Sequence, residues 1–297
     1  MQTLSDILEQ EISDISPELL ELLLVDRTTS NASMQHNIIW ANDNYAHLGK
    51  GYAPTDEILP QAITGQNSML IQPRALKNKE VQKKRTKKHA EVFTPSWIVK
   101  KMIDGMDAEN PGWNEDLDTF VDRTWLEITC GEAPFIANRY EMESGEPIEL
   151  KNRTGFLDRK LRRINEEVDG FEEWFDYVCR AYKASYGFEW SGDSIVLARE
   201  NLVLTFVDYY REKWDAEPSL EQVLQVAEIV SYNVFQMDGL KQIIPLSESE
   251  ETVSTEIEQP DLFGNVEVIK TSKIKKIPGK RVKVMNWKKG KMEYFGQ

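Results

Sequence analysis

Three apolar segments of this chain each end in a carboxylate and lead into a turn or a helix. They are TWLEITCGEAPF at residues 124–135, YGFEWSGDSIVLARENLVLTFVDYY at residues 186–210 and VSYNVFQMDGL at residues 230–240. Short apolar strands separated by helical segments predict a parallel α/β sheet, in which ligands bind outside the carboxyl ends of the strands. We therefore expect Glu127, Glu189 and Asp238 to gather at one edge of the sheet. A single acid at a strand end is typical of a cap or a solvated loop, so only the ordered trio indicates a site.

Helical periodicity follows the second of these strands and precedes the third. Apolar residues share one helix face at Ile195, Ala198, Leu202, Phe206 and Tyr209, and again at Leu220, Val223, Leu224 and Ala227. Ser191 or Asp193 is a candidate N-cap for the first helix. The charged insert at residues 138–183 is predicted to be helical and to pack through Phe171, Trp174, Phe175 and Val178. Residues 3–24 predict two short helices, and residues 26–73 predict loops and short elements.

A strongly basic run interrupts an acidic chain. The formal net charge is −14, so an even charge distribution would repel a polyanion, and nucleic-acid binding needs a locally basic surface or a basic partner. KNKEVQKKRTKKH at residues 77–89 provides such a surface. A solvated helix face and a phosphate-contacting role both remain open for it. The candidate DNA-binding residues are Lys83, Lys84, Arg85, Lys87 and Lys88.

The cysteine content and the N-terminus bear on the compartment. Only Cys130 and Cys179 are present, too few for a disulfide framework and typical of a reducing cytosol. The N-terminus is acidic where a signal peptide needs a basic region, and no run approaches the ~20 apolar residues of a bilayer span. We expect a cytoplasmic protein without membrane association.

The strand-end acids suit a ligand that has a ribose, an adenine and a cationic end. An ionised carboxylate only accepts hydrogen bonds, so Glu189 can bind both ribose hydroxyls, and Asp238 can accept from the exocyclic amine of the adenine. The Cys130-Gly131 turn lets the backbone approach the ligand, and Glu127 is placed beside an ammonium group. S-adenosylmethionine has all of these parts and is the predicted cofactor.

Four motifs, in this order, resemble those of the gamma-class amino-methyltransferases of DNA, which make N6-methyladenine. They are Phe93-Thr94-Pro95, Glu127-Ile128-Thr129-Cys130-Gly131-Glu132-Ala133, Glu189 in YGFEW, and Asp238 in NVFQMDG. The resemblance covers roughly residues 83–240. It implies a Rossmann-like S-adenosylmethionine-dependent methyltransferase fold of the α/β class, whose sheet can be incomplete, with a mostly helical N-terminal region. The cofactor-binding residues that it implies are Phe93, Thr94, Pro95, Glu127, Thr129, Cys130, Gly131, Glu189, Trp190, Asp238 and Gly239.

Departures from that family separate cofactor binding from catalysis. Glu127 replaces the usual Asp, and Ala133 with Pro134 stands where a second glycine is expected. The family's catalytic motif of Asn or Asp, two prolines and an aromatic accepts from the target amine and stacks on a flipped base. It is missing, because the sequence contains no Pro-Pro. No catalytic residue and no metal ligand is therefore assigned. The chain resembles the N-terminal part of a methyltransferase whose catalytic strand and target-recognition domain lie on a second polypeptide.

These expectations divide the chain into four parts and favour one function. The parts are a helical and loop region (1–82), a methyltransferase-like domain (83–246), an acidic linker (247–266) and a basic β-prone tail (267–297), for which a solvated hairpin is the alternative to phosphate contact. The leading hypothesis is a subunit of a split DNA adenine-N6 methyltransferase in a restriction-modification system, inactive alone, with DNA and a second subunit as partners. The alternative is a catalytically inactive module that binds DNA or protein and regulates or blocks restriction. A weaker hypothesis is docking of QPDLF, residues 259–263, on the replication clamp.

Overall fold

The computed structural model describes residues 12, 16–77, 79–89, 94–114, 116–260 and 266–296. The α-helices in these ranges are α1 (Pro17–Leu24), α2 (Pro60–Ile63), α3 (Lys79–His89), α4 (Ser96–Glu109), α5 (Leu117–Asp122), α6 (Phe156–Glu167), α7 (Phe171–Lys183), α8 (Gly192–Trp214) and α9 (Leu220–Asn233). The strands are β1 (Trp125–Ile128), β2 (Ser185–Glu189), β3 (Val234–Gln236), β4 (Ser249–Pro260), β5 (Val266–Ile277), β6 (Lys283–Asn286) and β7 (Lys291–Tyr294). Within the described residues, no helix is both long and apolar enough to cross a membrane.

A parallel three-stranded sheet forms the centre of the fold, in the order β1-β2-β3. Glu127 lies in register with Gly187, and Phe188 with Phe235. The strands expected around residues 125–128 and 186–190 are confirmed to within a residue. The third strand begins only at Val234, because residues 230–233 complete α9. The protein is therefore a mixed α/β fold with a small parallel sheet.

One face of this sheet carries the helices. Successive strand residues point to opposite faces, and Trp125 and Val234 pack in the same hydrophobic cluster as α6 to α9. The five apolar positions of the predicted face of α8 are all buried: Ile195, Ala198, Leu202, Phe206 and Tyr209. Burying one large apolar side chain contributes roughly 1.5–3 kcal/mol. Much of the packing stability therefore comes from α8.

The C-terminal hairpin covers part of the other face. β6 and β7 pair antiparallel. A second cluster lies beneath them, formed by Phe188, Phe235, Met237, Ile244 and Val282, with Val284 and Phe295 of the hairpin region packed against it. The cover does not extend over β1, where Leu126 and Ile128 are 41% and 66% exposed. The sheet is thus covered by helices on one face and only partly by a hairpin on the other.

The helical insert packs through aromatic rings, as predicted. α6 contacts α7 and α8, and the rings of Phe171 and Trp174 lie 5.5 and 5.7 Å from that of Trp214, edge to face. Such pairs add about 0.5–1.5 kcal/mol beyond the burial of their area. The first part of the insert, residues 138–155, forms turns and a single short 3-10 helix instead of α-helix.

The N-terminal segment up to residue 77 shares this core. Leu23 and Trp40 are fully buried in the same cluster as α8. Arg199 of α8 donates from Nη1 to the carbonyl oxygens of Leu23 and Val25, at 2.6 and 2.9 Å. The predicted domain boundary between residues 82 and 83 lies inside α3. The structure therefore joins the two sides of that boundary in one core.

An antiparallel ribbon stands where the acidic linker is expected. β4 and β5 pair from Ser249↔Ile277 to Pro260↔Val266. The register sets acids opposite lysines, for example Glu250 opposite Lys276 and Glu251 opposite Lys275. Opposite charges across a strand pair stabilise by roughly 0.2–1 kcal/mol each. The linker prediction for residues 247–266 is corrected over its described part: Ser249–Pro260 is a strand whose partner is the basic segment Val266–Ile277.

Candidate functional site

Every second residue at the start of the loop after β1 has a left-handed backbone. Thr129, Gly131 and Ala133 have φ angles of 49°, 54° and 63°, while Cys130 continues the sheet by donating its N–H to the carbonyl oxygen of Phe188 at 2.9 Å. Glycine adopts such φ angles freely, whereas other residues are strained there. Ala133 has a left-handed backbone at the position where the sequence comparison of motifs expects a second glycine. A Cβ added at Gly131 would meet open space, so the turn leaves room for a ligand.

Glu127 of β1 supports this loop from within. It is 8% exposed, and its two carboxylate oxygens accept the N–H groups of Phe135 and Ile136 at 3.3 and 3.0 Å. The pKa of Glu127 rises from 4.5 to about 8, mainly because of burial and also because of the neighbouring Glu189. The two N–H donors oppose this rise. Glu127 therefore gains or loses its proton close to neutral pH.

Glu189 ends β2 and binds the same loop. Its Oε2 accepts the N–H of Gly131 at 3.1 Å, and its Oε1 accepts the N–H of Ser191 at 3.2 Å. Burial raises the pKa of Glu189, although these backbone donors oppose the shift. Within the part of the chain that the structure describes, neither Glu127 nor Glu189 forms an ion pair with a lysine or arginine. When ionised, the two carboxylates place negative charge beside the loop with no described cation opposite it.

Asp238 follows β3 at the same edge of the sheet. The N–H of Met237 donates to the carbonyl oxygen of Glu189 at 3.0 Å, which aligns the two strand ends. Oδ1 of Asp238 accepts the N–H groups of Leu240 and Lys241 at 2.9 and 3.1 Å and so closes its own turn. No described residue donates to Oδ2. The structure thus places the three strand-end acids at the carboxyl edge, and their role in binding a cofactor stays a prediction.

Trp190 and Gly239 are held by packing beside these acids. The indole N–H of Trp190 donates to the carbonyl oxygen of Ala41 at 2.6 Å, so this ring is fixed by the N-terminal segment. A Cβ added at Gly239 would lie 2.7 Å from Cε2 of Phe188. Glycine is needed at 239 for this close approach, not for a special φ angle.

The Phe-Thr-Pro motif is described only in part. Thr94 and Pro95 lead into α4 and are partly exposed, and among the described contacts none joins them to the three acids. Phe93 lies outside the described residues, as do the last three of residues 259–263 in the QPDLF segment. Their predicted roles remain predictions.

The basic helix α3 is anchored by an arginine that faces inward. Arg85 is 3% exposed and forms a buried ion pair with Asp193. Asp193 also accepts from the hydroxyl of Tyr45 at 2.8 Å and from Nδ2 of Asn42 at 3.2 Å. Burial opposes the ionisation of Asp193, but Arg85, Lys77 and the Tyr45 hydroxyl together outweigh it, and the pKa of Asp193 falls to about 2. The prediction that Arg85 contacts DNA is corrected: its side chain holds α3 against the start of α8.

For the other basic residues of α3, contact with DNA stays a prediction. Lys83 and Lys87 are exposed, whereas the side chains of Lys84 and Lys88 lie outside the described ones. Ser191, not Asp193, is the N-cap residue of α8, and it makes no side-chain capping bond. The exposed lysines leave a basic surface on an acidic protein.

A buried polar network behind the loop was missed by sequence reasoning. Glu132, 3% exposed, accepts from the hydroxyl of Tyr140 at 2.6 Å and from the N–H of Arg74 at 2.8 Å. Nδ2 of Asn201 donates to Tyr140 Oη and to the carbonyl oxygen of Glu132, at 3.0 and 3.1 Å. The network ties the loop to α8 and to the N-terminal segment. Its one sequence signal is the place of Glu132 in the Cys-Gly-Glu-Ala turn.

A groove of about 630 Å³ lies elsewhere, on the hairpin face near the amino ends of β1 and β2. Leu126, Tyr186 and Phe235 contribute apolar surface to it, and Lys183 and Lys288 contribute charge. None of the three strand-end acids lines it. The groove is therefore separate from the site at the carboxyl edge.

The carboxyl edge offers hydrogen-bond acceptors, carboxyl groups that a cation would help to ionise, and open space at Gly131. Carboxylates bind hydroxyl, amine and cationic groups, and the open space at Gly131 lets a ligand approach the backbone. These groups fit S-adenosylmethionine, which carries two ribose hydroxyls, an exocyclic amine and positive charge. Comparison of the chain with protein-family models, with curated proteins and with solved structures finds no match.

Proposed function

We propose that this chain is the S-adenosylmethionine-binding subunit of a split DNA adenine-N6 methyltransferase in a restriction-modification system, with a Rossmann-like sheet and a partner chain that supplies the catalytic motif. One observation carries the proposal. Glu127, which is buried, and Glu189, which is partly exposed, flank the open turn at Gly131 with no described cation to neutralise them. A cationic ligand stabilises the ionised form of both acids, and burial strengthens that attraction.

Each acid has its own task in this proposal. Glu189 accepts from the ribose hydroxyls while it holds the N–H of Gly131. Glu127 keeps the backbone at residues 135–136 in place and attracts the ammonium group once it is ionised. Asp238 accepts from the adenine amine through Oδ2, because Oδ1 closes its own turn. The cofactor, when bound, supplies a methyl group on a sulfonium, and these residues bind and orient it.

DNA binding is assigned to α3. Lys83 and Lys87 are exposed, and the buried pair of Arg85 with Asp193 fixes the helix that carries them. Lysine contacts to phosphate give affinity that falls with salt and carries no base specificity. In this proposal the acceptor for the adenine amine and the aromatic that stacks on the flipped base come from the partner, and the sequence at hand contains no Pro-Pro.

Two measurements test the proposal. In calorimetry, the chain with its partner should bind S-adenosylmethionine, and Glu189→Gln should weaken binding roughly tenfold or more, since it removes a charge and an acceptor. Glu212→Gln, which removes an exposed charge from α8, is the matched control. The pair should also transfer a labelled methyl group to adenine in DNA, and the chain alone should not. A pair that binds DNA but neither binds the cofactor nor transfers a methyl group would contradict the proposal.

A catalytically inactive module is the second candidate, and one observation favours it. Both oxygens of Glu189 already accept backbone N–H groups, so the fold uses this acid without any cofactor. Such a module needs only the fold and the basic surface to bind DNA or another methylase and to regulate or block restriction. DNA or protein binding without any heat of S-adenosylmethionine binding, with the partner present, would favour this function.

A further inference from the structure

The outer edge of β1 has no described strand partner. β1 is an outer strand, and parallel sheets are normally covered on both faces. Helices cover one face of β1, but the C-terminal hairpin stops short of it on the other, where Leu126 and Ile128 are 41% and 66% exposed. Among the described residues, none pairs with the outer edge of this apolar strand or covers that part of its face.

The backbone of β1 determines what this edge can bind. The N–H of Trp125 donates to the carbonyl oxygen of Ala184, toward β2. Alternate residues of a strand direct their backbone groups to opposite sides, so Leu126 and Ile128 direct theirs away from β2. The one described donor that reaches these groups is the Thr129 hydroxyl, 2.7 Å from the carbonyl oxygen of Ile128. A row of unpaired donors and acceptors is a template for another strand.

The groove on the hairpin face adjoins this edge, because Leu126 lines both. Some of the charged side chains that line the groove have an ion-pair partner among the described residues, and others do not. Arg180 and Glu293 are satisfied by Asp122 and Lys289, whereas Lys183 and Lys288 have no ion pair among the described residues. Lys183 lies 5.4 Å from the ring centroid of Trp287. An occupant with apolar residues and acidic side chains is therefore complementary to the groove.

We propose that the β1 edge and the groove form the docking surface for a different polypeptide, which adds a parallel strand to β1 and seats a segment with acidic side chains in the groove. The proposal rests on the proposed function and locates its partner. A parallel strand here would end beside the loop that Glu127 supports. A second copy of this chain would pair β1 with β1 in antiparallel fashion about a two-fold axis, and two molecules of charge −14 repel each other.

Hydrogen exchange on the full-length chain tests the edge. The probe is the partner of the proposed function, a methyltransferase subunit that carries an Asn-Pro-Pro-aromatic motif. In the free chain the amides of Leu126 and Ile128 should exchange quickly, and in the complex they should become protected. Protection that rises with the concentration of the chain alone would identify a second copy as the occupant and overturn the proposal.

Substitutions test the side chains of the β1 edge and of the groove. Ile128→Lys should weaken the complex roughly tenfold or more, because a lysine on an edge strand opposes pairing. Met69→Lys, at a position 57% exposed and outside the groove, should leave it unchanged. Both variants should keep the melting temperature of the free chain, since both residues are exposed. Lys183→Glu should weaken the complex, and added salt should reduce the difference from the unmodified chain.

The outcomes separate the docking surface from the proposed function. A complex that methylates DNA while the Leu126 and Ile128 amides exchange as in the free chain would overturn the docking surface and leave the function standing. A complex that protects those amides but neither binds S-adenosylmethionine nor methylates DNA would support the surface and contradict the function. Failure of the two chains to form any complex would overturn the docking surface, while calorimetry of the chain with the cofactor reports on the function independently.

Discussion

The pH dependence of folding stability tests the environment of Glu127. Its pKa rises from 4.5 to about 8 on folding because of burial, so the folded state holds a proton that the unfolded state releases between these values. Stability is therefore fully present below pH 4.5 and is lost as pH rises toward 8. One pKa unit corresponds to about 1.4 kcal/mol, so the loss is at most about 5 kcal/mol and roughly 2–5 kcal/mol once water entry on ionisation is allowed for.

Glu127→Gln removes this titration. The amide keeps one acceptor for the N–H groups of Phe135 and Ile136 but sets its NH₂ against the other donor, which costs about 1–2 kcal/mol. The variant should therefore be less stable than the unmodified chain at pH 5 and more stable at pH 9, so the two stability curves cross. The stability of the variant should still fall with rising pH, but less than that of the unmodified chain, because burial also raises the pKa of Glu189.

Urea unfolding followed by circular dichroism at pH 5, 7 and 9 measures the effect. Glu212→Gln, on the exposed side of α8, removes the same formal charge and should shift the curve without changing its slope in this range. If the Glu127→Gln curve runs parallel to that of the unmodified chain, Glu127 does not titrate near neutral pH and the account of the site is wrong.

Other substitutions probe the turns, the anchor of α3 and the basic surface. Gly131→Ala should cost only about 1 kcal/mol of folding stability because of its left-handed φ, yet weaken S-adenosylmethionine binding. Gly239→Ala should cost about 1–3 kcal/mol of folding stability because its Cβ meets the ring of Phe188. Urea unfolding measures the stabilities and calorimetry the affinities, and equal affinity in both variants would contradict the placement of the cofactor. Arg85→Met should destabilise the fold by about 3–5 kcal/mol by leaving a buried carboxylate unpaired, and a loss in urea unfolding below about 1 kcal/mol would refute the anchoring role. Lys87→Glu should lower DNA affinity and flatten its salt dependence in fluorescence anisotropy while stability stays constant, and unchanged DNA binding would remove α3 from the interface.

The central strands and helices could be predicted because their signals are local. Apolar residues at helical spacing on α8, and short apolar runs before Glu127 and Glu189, report burial directly. The convergence of the acids at one edge followed from the parallel order of strands. Their protonation did not, because the pKa of Glu127 depends on how deeply the folded chain buries it.

Features that depend on distant partners could not be read in this way. Arg85 looks like the lysines around it until Asp193, 108 residues later, shows which side of the helix faces inward. The acidic segment of β4 looks like a linker until β5 supplies its lysines. Glu132 is unremarkable without Tyr140 and the N–H of Arg74. In each case the deciding contact joins a polar group to one that no local pattern identifies.

Because the chain is synthesised from its N-terminus, the contact between Arg199 and the carbonyl of Leu23 can form only late in synthesis. The Arg199 guanidinium holds the carbonyl of Leu23, which lies 176 residues earlier in the chain. A ribosome adds roughly 5–20 residues per second, so the N-terminal segment leaves the tunnel about 9–35 s before its anchor is made. During that time the side chains of Leu23 and Trp40, fully buried in the finished protein, have no core to enter. The yield of folded protein should therefore depend on chaperones that cover nascent chains, more than it would in a fold whose first helices pack on each other.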